Sequence, residues 1–181
     1  MTEKLNIAVV TVSDTRTERD DKSGPVLVEA LQKAGHTLHS KTIVRDDLYQ
    51  LRAAVAAFIA DPEVAVVLLT GGTGFTDRDN TVAAVEPLLD QPIEGFGELF
   101  RQLSYQEIGS STVQSRAFAG LANGTIVFCL PGSPGACRTG WNNIIREQLD
   151  STHKPCNFTD KLRLPADKKR HRLQNTENPV P

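Results

Sequence analysis

A chain of 181 residues with a formal net charge of −2 at pH 7 is about the size of one ordinary domain, long enough to bury roughly two-thirds of the surface its unfolded form exposes. Acids and bases are interspersed along it, which excludes the basic footprint of a nucleic-acid binder and the cationic face of a membrane-surface protein, so the expected partner is a small molecule. Cys129, Cys137 and Cys156 have no C-x-x-C spacing and the N-terminal apolar run is short, which predicts free thiols, no signal sequence or membrane span, and a cytoplasmic location.

In chain order, "NIAVVTVS" (6–13) is an uninterrupted β-branched run of strand length, as expected of a strand buried on both faces of a parallel sheet. Ser23 is placed to cap the helix "GPVLVEALQKAG", with Pro25 in its first turn and Gly35 past its end. "HTLHSKTIV" (36–44) reads as a second strand. Asp46 or Asp47 then caps "LYQLRAAVAAFIA", where Leu51, Val55, Phe58 and Ile59 recur at helical spacing. "VAVVLLT" (64–70) is a third buried strand, and "GELFRQLSYQEI" (97–108) is helical. Two strand-like segments flank Asn123-Gly124, the dipeptide of type I′ hairpins, so one antiparallel pair is expected to interrupt the parallel set. "PGSPGACRTGWNNIIREQL" (131–149) turns on Pro and Gly and ends as a helix packing Trp141, Ile144, Ile145 and Leu149. The alternation predicts an α/β domain with right-handed crossovers over residues 1–158. Residues 159–181 lack apolar periodicity and read as a polar tail.

The stretch "TGGTGFTDRD" (70–79) follows the third strand. Glycines between a buried strand and a helix let backbone N–H groups approach an anion, and the helix end adds partial positive charge. The same glycines serve equally in a tight structural turn. The stretch lacks the lysine of G-x-x-x-x-G-K-[ST] and the G-x-G-x-x-G frame, so neither mechanism is licensed. Asp79 precedes a helix expected near Thr81; it either caps that helix or, with Asp46 at another strand end, governs a phosphate-bound Mg²⁺. "LPGSPG" (130–135) is a second glycine turn between strand and helix, expected at the same sheet edge. Ser133 is outside a G-x-S-x-G frame, which argues against a serine hydrolase. His36 and His39, three apart on a strand, face opposite sides and are not a metal pair.

Taken together, "TVSDTR", "DDKSG", "TGGTGFTDRD", "EGFGELFR", "SRAFAGLANGTIVFCLPGSPGACRTGWNNII" and "PCNF" resemble the MoaB/Mog family of molybdenum cofactor biosynthesis proteins, its B-type branch above all, from about residue 6 to 158. The resemblance implies a three-layer α/β/α fold with a mostly parallel sheet and one antiparallel hairpin, assembly as homo-oligomeric trimers or hexamers, molybdopterin binding, and, in active members, transfer of AMP from Mg-ATP to the terminal phosphate of molybdopterin. It implies that Gly71, Gly72, Thr73 and Gly74 cradle nucleotide phosphates, that Asp46 and Asp79 are the catalytic and Mg²⁺-binding carboxylates, and that Ser13, Asp14, Ser104, Ser115, Pro131, Gly132, Ser133 and Pro134 surround the pterin. Two departures stand beside the acids: Arg45-Asp46 in place of Pro-Asp, and "RDNTVAA" in place of "RDVTPEA". They admit a second expectation, a non-catalytic molybdopterin-binding or scaffold protein of the same pathway.

Overall fold

A computed structural model of the chain describes residues 3–163. Three strands have no polar face: β1 (Asn6–Val12) is buried after its first residue, and β3 (Val66–Thr70) and β6 (Thr125–Leu130) along their lengths. Such strands need cover on both sides, and the alternation of side chains supplies two separate cores. Ile7, Val9, Val66, Leu68 and Phe128 pack with Leu27 and Leu31 of α1 (Gly24–Lys33), Phe96 and Phe100 of α4 (Glu94–Ile108), and Trp141 and Ile145. Ala8, Val10, Val67 and Leu69 pack on the other face with Leu51 and Val55 of α2 (Leu48–Ala60) and Ala84 and Val85 of α3 (Thr81–Val85). The result is the expected three-layer α/β/α arrangement.

The sheet order is β2-β1-β3-β6-β5-β4, with β2 Thr37–Val44, β4 Gln91–Pro92, β5 Phe118–Ala122 and β6 Thr125–Leu130. β2, β1, β3 and β6 are parallel, so their carboxyl ends share one edge. β5 and β6 form the expected hairpin, and Asn123 (φ 49) and Gly124 (φ 76) take the positive angles a type I′ turn demands. This pair extends the sheet at one side and does not interrupt the parallel set; β4 then adds antiparallel to β5. Among the described residues no helix is long and apolar enough to cross a membrane.

Three expectations are corrected. Ser23 makes no side-chain cap; the buried Asp21 carboxylate accepts the Ser23 and Gly24 N–H groups instead, at 3.1 and 3.0 Å. The single helix expected after Pro131 is α5 (Pro134–Gly140), a wide π-type turn over Trp141–Ile145, and α6 (Arg146–Gln148). The body also continues past residue 158: Thr159 and Leu162 are buried, and Arg163 donates from its backbone to Gly124 O at 2.7 Å and from its guanidinium to Asp61 O at 2.9 Å. Of the expected tail, residues 164–181 lie outside the described residues.

Candidate functional site

At the shared carboxyl edge, the loops after β1, β3 and β6 and the flank of α4 enclose a recess of about 640 Å³. Ser13, Gly71–Gly74, Asp79, Ser104, Ser115 and Pro131–Ser133 all line it, so the structure brings most of the expected positions together. Asp14, Asp46 and Pro134 border this recess without lining it. A larger hollow of about 820 Å³ lies between α4 and the β5 edge and meets the expected positions at Ser115 alone. The glycines, Asp79 and the three parallel strand ends belong to the smaller recess, and the chemistry goes with them.

Each glycine after β3 answers a different crowding. Gly71 has φ +113, and a Cβ there would stand 2.4 Å from Val12 O. Gly72 has φ +64, and its Cβ would meet Thr81 Oγ1 at 2.3 Å and Asp46 Oδ2 at 2.7 Å. At Gly74 the obstacle is Asp79 Oδ2, at 2.8 Å. The loop is therefore pressed between β1 and two carboxylates, which no residue with a side chain permits. It also touches the loop after β6: a Cβ on Gly132 would be 3.2 Å from Gly71 Cα.

The two acids are held differently. Asp47, not Asp46, caps α2, accepting from Tyr49 N at 3.1 Å and Gln50 N at 2.9 Å. Asp46 turns the other way: its Oδ1 accepts from Asn80 N at 2.9 Å, its carbonyl from Asn80 Nδ2 at 2.9 Å, and its N–H donates to Asp14 Oδ1 at 3.2 Å. Burial, and then the charges of Asp79 and Asp14, push its carboxyl above the usual range against the bonds from Asn80. Asp79 does not cap α3; its Oδ2 accepts from Thr76 N at 2.8 Å and Thr76 Oγ1 at 2.6 Å within its own loop. Burial opposes ionisation there too, but the bonds from Thr76 and the Gly74 N–H and the charge of Arg116 outweigh it and lower the Asp79 carboxyl. Asp14 is ion-paired with Arg78.

Among the described residues no three His, Cys, Asp or Glu side chains form a complete metal cage. The fit to Mg²⁺ is that of a partial site: hard oxygen donors on two carboxylates, one of them raised by burial and, to a smaller extent, by the neighbouring charges of Asp79 and Asp14, with ligand phosphates and water completing the shell.

Three charged residues absent from the sequence expectations organise the loops. Arg116 donates from Nε to Thr73 O at 3.3 Å, from Nη2 to Asp79 O at 3.2 Å and also to Gly74 O, with its guanidinium 4.7 Å from the Phe75 ring centre. The peptide after Thr73 thus gives its carbonyl to Arg116 and its N–H to Asp79; the peptide after Asp79 gives its carbonyl to Arg116 and its N–H to Asp46. Arg16 donates to Ser23 Oγ and Gly132 O, and the Ser23 hydroxyl donates to the same Gly132 carbonyl at 3.2 Å. Beneath them Asp21, with its side chain wholly buried, pairs with Lys41 Nζ at 2.9 Å and accepts from Thr11 Oγ1 at 2.8 Å. The signal that could have found these three was a charged residue within the motifs "DTR", "DDKSG" and "SRAF".

The family model described as a probable molybdopterin binding domain matches residues 8–151. The chain is 54% identical to molybdenum cofactor biosynthesis protein B of Escherichia coli strain K12, covering 87% of this chain and 92% of that one. It is similar to a crystal structure of molybdenum cofactor biosynthesis protein B, with TM-score 0.79 and 49% identity over 81% of this chain and 92% of that one. The tungsten cofactor synthesizing protein MoaB from Pyrococcus furiosus matches with TM-score 0.69 and 41% identity, over 80% and 92% of the two chains. The chain belongs to the MoaB/Mog family of molybdenum cofactor biosynthesis proteins.

Proposed function

We propose, from this membership, that the protein binds molybdopterin in the recess at the carboxyl edge of the sheet and adenylylates it with Mg-ATP, in the cytoplasm and as a homo-oligomer. The observation that carries the reading is the pair Asp46 and Asp79, both pressed against the glycines that follow β3. An oxygen of the molybdopterin phosphate forms a bond to the α-phosphorus of ATP, the bond to the bridging oxygen breaks, and pyrophosphate leaves. Bound Mg²⁺ supplies charge neutralisation for the phosphates in this displacement. Gly71–Gly74 let the phosphates approach the backbone closely, Asp79 stays ionised next to them, and Ser13, Ser104, Ser115 and the turn after β6 orient the pterin. Exposed Phe75, Tyr105, Ile108 and Val113 support assembly, since large exposed apolar side chains are suited to contact surfaces; native mass measurement distinguishes trimer from hexamer.

One observation favours a second reading. Asn80 engages Asp46 through both its backbone N–H and its side chain, at a position where the resemblance leads one to expect valine. An Asp46 held this way suits a protein that binds molybdopterin without turning it over. Purified protein given molybdopterin, ATP and Mg²⁺ separates the two. The adenylyltransferase reading requires pyrophosphate release that falls by roughly a hundredfold or more in Asp79→Asn while pterin binding persists. Binding with no pyrophosphate from the parent leaves the binding-protein reading.

A further inference from the structure

The recess described above is unbalanced in charge. Among the described residues lining it, Asp79 and Glu107 are acidic and Arg16 carries the one positive charge. A ligand bearing a phosphate monoester needs a cation or a set of free donors to replace its hydration. Glu107 offers neither, and its Oε1 already accepts the Thr139 hydroxyl at 2.7 Å. Arg116 is turned outward onto the loop carbonyls, and Arg78 is committed to Asp14.

Arg16 is held ready. Its backbone N–H donates to Ser13 Oγ at 3.1 Å, Nη1 to Ser23 Oγ at 3.4 Å and Nη2 to Gly132 O at 3.3 Å. A guanidinium has five N–H donors in a rigid fork, so these two contacts fix its plane and leave donors over. The Ser23 end is itself fixed, because Asp21 takes the Ser23 and Gly24 N–H groups and a Cβ on Gly24 would stand 2.4 Å from Asp21 Oδ2. Gly132, at the other end, abuts Gly71, so the fork borders the loop where the nucleotide phosphates are proposed to lie.

We infer that Arg16 is the specificity residue of this recess: it selects pterins that carry a phosphate monoester over pterins that lack one. The inference rests on the molybdopterin reading and adds the group that is recognised and the residue that recognises it.

The test measures equilibrium binding of the full chain, under anaerobic conditions, to molybdopterin and to the same pterin after phosphatase treatment. The parent binds the phosphorylated form more tightly by tenfold or more. Arg16→Gln loses roughly ten- to a hundredfold for that form, the size of a hydrogen bond to a charged group, and is unchanged for the dephosphorylated one. Arg16→Lys keeps part of the preference. Ser23→Ala loosens the same turn without removing charge and keeps all of it. Equal weakening of both forms in Arg16→Gln would show that Arg16 merely braces the Gly132 turn, and an undiminished preference would show that other groups hold the phosphate; either overturns the inference and leaves the molybdopterin reading intact. A parent that binds neither form removes both.

Discussion

Replacing Gly72 by alanine adds one methyl group at the most confined point of the loop. The backbone there has φ +64, a left-handed conformation that costs a residue with a Cβ about 1 kcal/mol or more. The methyl would also lie 2.3 Å from Thr81 Oγ1 and 2.7 Å from Asp46 Oδ2. Neither neighbour gives way freely: Thr81 is fully buried and its hydroxyl donates to Gly71 O at 2.8 Å, and the other Asp46 oxygen accepts from Asn80 N at 2.9 Å. Overpacking of this kind costs about 1–3 kcal/mol, for a combined loss of about 2–4 kcal/mol, or roughly 4–16 °C in melting temperature at this chain length. Scanning calorimetry of the parent, Gly72→Ala and Gly95→Ala measures it. Gly95, in the first turn of α4, has nothing within 4 Å of a Cβ, so its replacement removes a helix-destabilising glycine and is expected to raise the melting point by gaining about 0.5–1 kcal/mol. A Gly72→Ala protein that melts within a degree of the parent refutes the confinement described for this loop.

Lowering the pH from about 7.5 to 5.5 is expected to lower the melting temperature through His36. Burial depresses its pKa below 6.5, against the charge of Asp150, and its Nδ1 accepts from Leu5 N at 3.4 Å; the unfolded chain therefore takes up a proton near pH 6.5 that the folded one refuses, and stability falls with pH in that window. The slope should flatten in His36→Gln, as read from melting curves at several pH values. Of three thiols, Cys156 alone should react with a thiol reagent in the native protein, because Cys129 and Cys137 are fully buried and burial pushes Cys137 to about 11; denaturation should release all three. A chain ending at Phe158 should melt lower than one ending at Arg163, since it loses the buried Leu162 and the Arg163 bonds to Gly124 and Asp61. That is worth about 2–4 kcal/mol, and equal melting points would show that these five residues add nothing.

How far the sequence reveals this protein depends on the range of the interaction. β1 and β3 are legible because burial on both faces leaves an unbroken apolar run, and the hairpin because Asn123-Gly124 needs positive φ at both positions. Pattern fails where two candidates adjoin: Asp46 and Asp47 look alike as caps, and only packing directs Asp47 to α2 and Asp46 to the start of α3. β4 is two residues long, too short for any period to register. Asp21 reads as a surface acid in "ERDDKSG" and becomes wholly buried because Lys41, on the adjoining strand, and Thr11 meet it there. The bonds from Arg116 to Thr73 and from Arg16 to Gly132 cross 43 and 116 positions of sequence, and no local pattern carries such information.

The Asp79 and Asp46 carboxylates accept from the N–H ends of two peptide groups whose carbonyls are both held by Arg116. They are therefore mechanically linked: any force that tilts one of those peptide planes is transmitted through a single guanidinium to the other. Arg116 itself is absent from the wall of the recess and lies instead against the neighbouring hollow between α4 and β5. A contact made in that hollow would bear on Arg116, the residue that holds both peptides.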